Sequence, residues 1–231
     1  MIRLYTSEQL CAEKILMPTE KQGHYLQHVM RLRENEIVSL FNGQDGEWTA
    51  AVRFPEKKKI ELHIKEQIRQ QCTETDCILC FALIKKENTD LILQKATELG
   101  VTEIYPMITE RTVVRQFNLE RAQTIVAEAA EQCERLTVPV VHHPQSLQET
   151  IKQLQGNCTP VYLAERADVS DNLSQIKIPA FFIGPEGGFS SSENRFLSEQ
   201  KNVKTIHLGN TILRAETAAI AILSCWQFRI F

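Results

Sequence analysis

The sequence predicts an α/β protein in two parts: a small β-rich unit, then a larger domain built on a mostly parallel sheet. Three observations lead there. Short strand-like runs at residues 37–41, 48–54 and 60–64 are joined by turn-rich segments. From residue 78 onward, apolar runs of strand length alternate with stretches of helical period, the pattern of a parallel α/β sheet. Between them, residues 67–76 are polar and lack apolar period, which puts a boundary between domains at 1–70 and 74–231.

In the first part, Thr19-Glu-Lys-Gln22 follows Pro18 and has the form of a capping box, opening a short helix through His24, Leu26, Val29 and Met30. Asn42-Gly-Gln-Asp-Gly46 reads as a hairpin loop between the first two strands. Lys57-Lys-Lys59 occupies the next turn, and the alternation in Ile60-Glu-Leu-His-Ile64 suits a sheet with one wet face.

In the second part, strands are expected at 78–84, 103–108, 160–164, 180–183 and 204–208. Asn88 is placed to cap a helix whose apolar positions are Leu91, Ile92, Ala96 and Leu99, with Gly100 ending it. Ala122, Ile125, Val126, Ala129 and Cys133 mark a second helix. Ser146-Leu-Gln-Glu149 opens a third as a capping box, stopping near Gly156.

Composition bounds the function. With 43% apolar and 24% charged residues over 231 positions, the chain can bury an ordinary core. No apolar run is long enough to span a bilayer, and Met1-Ile-Arg-Leu-Tyr-Thr6 lacks the apolar stretch of a signal peptide. A cytoplasmic protein without membrane contact is therefore expected. Seven cysteines do not form a disulfide framework. Cys77 and Cys80 lie three apart on an expected strand and face opposite sides, so they read as core cysteines and no metal is expected. The net charge of −3 excludes general attraction to polyanions. Residues 1–70 carry 11 basic and 10 acidic side chains (+1), the remainder 15 and 19 (−4), so nucleic-acid contacts should favour the first part.

Two segments carry the chemistry. Phe181-Phe-Ile-Gly-Pro-Glu-Gly-Gly-Phe189 runs a buried strand into a glycine turn, and Ser190-Ser-Ser-Glu193 then opens a helix. That places Gly184, Pro185, Glu186 and Gly187 at the carboxyl end of a strand, where open α/β sheets bind ligands. A tight strand-to-helix connection explains the glycines equally well when the segment is taken alone. The phosphate-loop reading is weaker, since no Gly-Lys-Ser/Thr follows and Glu186 would repel phosphate. In the second segment a strand ends through Leu208 at Gly209, and Thr211-Ile-Leu213 leads to Arg214 at the start of an alanine-rich helix. Arg214 and Glu216 are two apart and do not face each other on a helix, which weakens their reading as a simple charge pair.

Together, Ile183-Gly-Pro-Glu-Gly-Gly-Phe189 and Leu208-Gly-x-x-Ile-Leu-Arg-x-Glu-Thr-Ala218 resemble the paired cofactor loops of the RsmE family, 16S rRNA (uracil-N3)-methyltransferases of the SPOUT superfamily. The resemblance extends over nearly the whole chain. Lys95-Ala-Thr-Glu-Leu-Gly-Val101, Glu128-Ala-Ala-Glu-Gln-Cys-Glu-Arg135, His24-Tyr-Leu-Gln-His-Val-Met-Arg-Leu-Arg33 and Phe41-Asn-Gly-x-x-Gly46 look like further family motifs. Asn35, where glycine is usual, and Met30, for a typical leucine, depart from the pattern.

The resemblance implies an N-terminal PUA-like β-barrel that contacts RNA and a C-terminal α/β domain with a trefoil knot. It implies a homodimer that methylates N3 of a uridine in 16S rRNA, within the 30S subunit, using S-adenosylmethionine. Leu163, Ile183, Gly184, Pro185, Glu186, Gly187, Leu208, Gly209, Leu213 and Ala218 would line the cofactor site. Arg214 is the first candidate to stabilise negative charge on the uracil, and Arg135 the second; a solvated helix-end arginine is the alternative for Arg135. Glu98 or Glu216 would serve as base or orient an arginine. Arg3, His24, Arg31 and Arg33 are candidate RNA contacts, with Tyr25 placed to stack on a base or pack on the barrel. His24 and His28, four apart on one helix face, lack a third and fourth ligand for zinc.

Overall fold

The computed structural model describes residues 1–56, 59–164, 171–200 and 202–230; Lys57 and Lys58 of the expected turn lie outside them. The chain forms two compact units. One comprises Met1–Thr73 with Ala130–Val138, the other Glu74–Ala129 with Pro139–Phe231.

The first unit is a five-stranded sheet of β1 (Ile2–Tyr5), β2 (Ile15–Leu16), β3 (Ile37–Phe41), β4 (Glu47–Arg53) and β5 (Glu61–Arg69), ordered β1-β3-β4-β5-β2. β1 runs parallel to β3 and the other pairs are antiparallel. Leu4, Leu26, Val38, Leu40, Val52, Leu62 and Ile64 fill its core. β1 and β2 are too short to show a period, and the sequence gives no sign of either. β5 reaches Arg69, into the segment expected to be a linker. From Lys65 on its side chains are exposed, so ladder bonds to β4 rather than apolar burial hold it, and burial is what a pattern reports. At the β3–β4 hairpin Gly46 has φ +78°, and a Cβ there would stand 2.2 Å from the carbonyl oxygen of Arg69. Only glycine permits that approach.

Thr19 and Gln22 form the expected reciprocal cap of α1 (Glu20–His24). The expected single helix then departs from α geometry: Tyr25–Val29 is a π-helical turn that buries Leu26 alone. Asn35 has φ +69°, a left-handed conformation that glycine adopts freely and asparagine tolerates.

Arg3 is a correction. Expected on the RNA surface, its side chain is 8% exposed and faces inward. Nε donates to Glu47 Oε1 at 2.8 Å, Nη1 to the carbonyls of Ala130 and Glu131 at 2.9 and 3.0 Å, and Nη2 to that of Arg135 at 2.9 Å. Its donors are committed to the protein and none is offered to a phosphate. Ser39 and Arg69 also donate to Glu47, at 2.7 and 3.0 Å. Burial pushes the Glu47 carboxyl up, but the bonds from Arg3 and Ser39 and the charge of Arg3 outweigh it and hold it below its ordinary value. The network ties residues 130–138 to the β-rich unit, beside a cluster of Phe41, Ala130 and Leu136.

The second unit has β6 (Ile78–Ala82), α2 (Lys86–Glu98), β7 (Glu103–Ile108), α3 (Leu119–Gln132, its last residues counted with the first unit), β8 (Val140–Val141) and β9 (Gln145–Ser146). These are followed by α4 (Leu147–Leu154), β10 (Thr159–Leu163), β11 (Pro179–Ile183), α5 (Ser191–Glu199), β12 (Lys204–Ile206) and α6 (Ala215–Gln227). The strands form one sheet ordered β12-β10-β11-β6-β7-β8, with β9 pairing with β7, and every pairing is parallel. Both faces are covered, which explains the unbroken apolar runs. On β11, Phe181 meets Trp226 of α6 edge-on, ring centroids 6.1 Å apart, while Phe182 packs with Leu147, Ile151 and Leu197 beneath α4 and α5. Burying each ring contributes about 1.5–3 kcal/mol.

The capping boxes at Ser146 and Ser190 form as expected, and Gly100 and Gly156 take positive φ just past α2 and α4. Asn88 does not cap α2. The helix starts at Lys86 with Lys85 as its N-cap, because the chain stays extended only as far as a bond from Leu83 N to Met107 O. Cys77 and Cys80 are both buried and stand outside any disulfide. Among the described residues no helix is long and apolar enough to cross a membrane.

Candidate functional site

Because β10, β11 and β12 are parallel neighbours, their carboxyl ends open on one edge of the sheet, with Leu163 in register with Ile206. Past β11 the chain turns through Gly184 to Gly188, closed by a 2.8 Å bond from Gly188 N to Pro185 O. A Cβ on Gly184 would lie 3.2 Å from both the Phe189 ring and the Phe189 nitrogen, so the turn folds tightly over that ring. Past β12 the chain loops through Leu208 and Gly209, which has φ +83°, to Arg214, whose backbone caps α6.

The two loops enclose a cavity of about 470 Å³. Leu163, Ile183, Gly184, Pro185, Glu186, Leu208, Leu213, Arg214 and Ala218 all line it. Its walls mix apolar side chains with polar ones such as Asn194 and Thr211, and its charged groups are Glu186, Arg214 and Arg111. Among the described residues the exposed Arg214 guanidinium makes no side-chain hydrogen bond or ion pair.

Three expected residues stand just outside. Gly187 contributes structure, its carbonyl accepting a 2.6 Å bond from Arg111 Nη1. Gly209 supplies a left-handed turn. Glu216, in the first turn of α6, is 8% exposed, and among the described residues its Oε2 has no partner. Glu98 is a correction: α2 returns from the carboxyl edge of β6, so its last residue lies toward the opposite edge, where it pairs with Lys95 at 2.8 Å. Arg135 belongs to the first unit, where Nη2 donates to Thr137 at 3.1 Å. His24, Arg31 and Arg33 are exposed on that unit too, and the rings of His24 and His28 lie 4.8 Å apart.

Sequence reasoning missed Arg111 and the brace that holds it. Glu193, 2% exposed, accepts from Ser190 N at 2.8 Å, as its capping box requires, and from Glu110 N at 2.9 Å. Ser192 Oγ donates to Glu110 at 2.7 Å. Bonds from the Ser192 and Ser190 hydroxyls, with the charge of Arg111, hold the Glu110 carboxyl below its ordinary value. The loop after β7 is thereby locked to the glycine turn. Its signal in the sequence was its place: Thr109-Glu-Arg-Thr112 follows directly on a parallel strand.

The chain matches a model of the RNA methyltransferase domain over residues 71–227 and of the RNA methyltransferase PUA domain over 18–65. It is 36% identical to the ribosomal RNA small subunit methyltransferase E of Rickettsia conorii, over 96% of this chain and 93% of that one. Its identity to the Synechocystis protein of that name is 32%, over 96% of this chain and 76% of the other. Among solved structures, the ribosomal RNA small subunit methyltransferase E of Neisseria gonorrhoeae bound to S-adenosyl methionine superposes with a TM-score of 0.90 at 30% identity, covering 99% and 98% of the two chains.

Proposed function

Since this chain belongs to the ribosomal RNA small subunit methyltransferase E family, we propose that it is an S-adenosylmethionine-dependent methyltransferase of small-subunit ribosomal RNA, acting on N3 of a uridine in 16S rRNA. The observation that carries this is the meeting of two separate sequence segments, at 183–188 and 208–218, around one cavity that Arg214 also lines.

The residues fit the cofactor. S-adenosylmethionine, when bound, supplies a methyl group made electrophilic by a sulfonium sulfur. Leu163, Ile183, Leu208, Leu213 and Ala218 offer an apolar bed for its adenosine, and the glycine turn offers backbone groups at close approach. Glu186 complements its positive charges.

On the substrate side, N3 of uracil carries a proton whose loss leaves negative charge on the flanking carbonyls. Arg214 presents free guanidinium donors to that anion. Glu216 is buried just outside the cavity and is not placed to touch the base. Arg135, His24, Arg31 and Arg33 remain candidates for holding the RNA. The reading includes a homodimer working in the cytoplasm on 16S rRNA in the 30S subunit, with the trefoil knot of its superfamily. Ile212, 61% exposed at the rim of the cavity, is an apolar side chain that a second copy would cover.

The test is methylation of unmodified 30S subunits and of naked 16S rRNA with labelled cofactor, the product mapped by mass spectrometry. One 3-methyluridine in 16S rRNA, lost in Arg214→Ala while cofactor binding persists, is the expected result. Label in another RNA or at another atom would overturn the reading.

A further inference from the structure

A second cavity, of about 530 Å³, opens at the carboxyl end of β6. Leu83, Ile84 and Leu93 form an apolar floor, Phe117 forms a wall, and Lys86 and Arg121 bring cationic groups. We propose that this cavity binds a nucleotide of the substrate RNA that neighbours the methylated one. The inference rests on the reading of the chain as an rRNA methyltransferase.

Position argues first. β6 lies next to β11 in the sheet, so the second cavity and the methyl-transfer cavity share one edge, about one strand spacing (~4.8 Å) apart in their supporting strands. The loop between β7 and α3 lines both, with Arg111 in the first cavity and Val114, Gln116, Phe117 and Asn118 in the second. Glu193 and Ser192 fix the near end of that loop, so the two cavities are held in register.

Chemistry argues next. An unstacked nucleotide needs a ring to stack on, polar groups for its base edge and a cation for its phosphate. Phe117 is a half-buried ring, and Gln116 presents an exposed amide. Asn118 uses its Oδ1 to cap Arg121 N at 2.9 Å, which leaves its amide donors to face a ligand. Lys86 is exposed and, among the described residues, makes no ion pair. Asp90 holds the Arg121 guanidinium at 2.6 Å by one nitrogen and presents a carboxylate acceptor of its own. None of these groups lines the methyl-transfer cavity. The chain's net charge of −3 gives RNA little general attraction, so a built subsite has more to contribute here than in a basic protein.

The test uses the full chain with unmodified 30S subunits. Phe117→Ala and Lys86→Ala should each raise KM for RNA, about tenfold for Phe117→Ala, the scale of one lost base stack. Turnover at saturating RNA and affinity for S-adenosylmethionine should stay as in wild type, and Phe117→Tyr should restore KM. In parallel, an RNA fragment carrying 4-thiouridine beside the target is irradiated with the wild-type enzyme, and crosslinks are expected in the peptide containing residues 114–121. Unchanged KM in both variants, or crosslinks confined to other peptides, overturns the proposal; so does a loss of cofactor affinity, which marks Phe117 as a structural wall only. A cavity that instead takes a protein segment would leave KM for naked 16S rRNA untouched and alter only that for the assembled subunit. Wild-type formation of 3-methyluridine, measured alongside, keeps failure of this inference separate from failure of the functional reading.

Discussion

Two arginine sites divide the molecule's polar chemistry between its units. Arg3 sits inside the β-rich unit with its donors spent on Glu47 and three carbonyls, whereas Arg214 stands at a cavity in the α/β unit with its guanidinium unengaged among the described residues. The same side chain is a strut in one and a reagent in the other. What separates them is where the donors go. A guanidinium closed by its own protein stabilises the fold and has nothing left for a ligand, while one held at a helix start beside a cavity keeps its hydrogen bonds for the reaction. The β3–β4 hairpin and the glycine turn repeat the contrast. Gly46 admits a neighbouring backbone carbonyl, and Gly184 packs against Phe189 to shape an open site.

That contrast can be broken at either end. Arg3→Ala should destabilise the first unit by about 3–5 kcal/mol, because it leaves the buried Glu47 carboxylate without its main partner. Trp48 and Trp226, the two tryptophans, lie one in each unit, so urea unfolding of single-tryptophan variants reads the units separately. The Trp48 transition should shift and the Trp226 transition should not; equal shifts would mean that Arg3 is not a local strut. Arg214→Ala should do the reverse, lowering kcat by about 100- to 1000-fold with both unfolding transitions unmoved.

Glu47 sharpens the comparison through pH. Its folded pKa lies below the ordinary value of 4.5, so its stabilising contribution is fully present above about 4.5 and fades as pH falls through the folded value. Acid titration followed at Trp48 should therefore show stability falling below that point. Glu47→Gln, less stable at neutral pH, should show a flatter acid limb, and an unaltered limb would exclude Glu47 as its source. The smallest expected effect is Asn35→Gly, a change of about a few tenths of a kcal/mol, since asparagine already tolerates the left-handed backbone there. A loss above about 1 kcal/mol would show that the Asn35 side chain does more than permit the turn.

The elements that could be read from the chain are those whose signal is local. Thr19, Ser146 and Ser190 announce their helices because a capping box is complete within four residues. Phe181 and Phe182 announce a strand buried on both faces because each is apolar by itself. The elements that could not be read depend on partners far along the chain. β1 exists because Val38 to Phe41 lie beside it, and the outer half of β5 exists because β4 pairs with it. Arg3 looked like surface because no pattern around position 3 reports Glu47 or the carbonyls of residues 130–135.

The sequence alone determined the two-part organisation, the parallel α/β character and the segments that carry the chemistry, since backbone period, caps and glycine turns act over a few residues. The tertiary structure decided which charged groups are spent and which are free. It turned Arg3 inward, set Glu98 toward the far edge, brought Arg111 from a third loop to the cavity through Glu193 and Glu110, and opened a second cavity beside the first. The reason is that a polar side chain's role is fixed by the partners it finds, and in this fold those partners come from strands and loops tens of residues away.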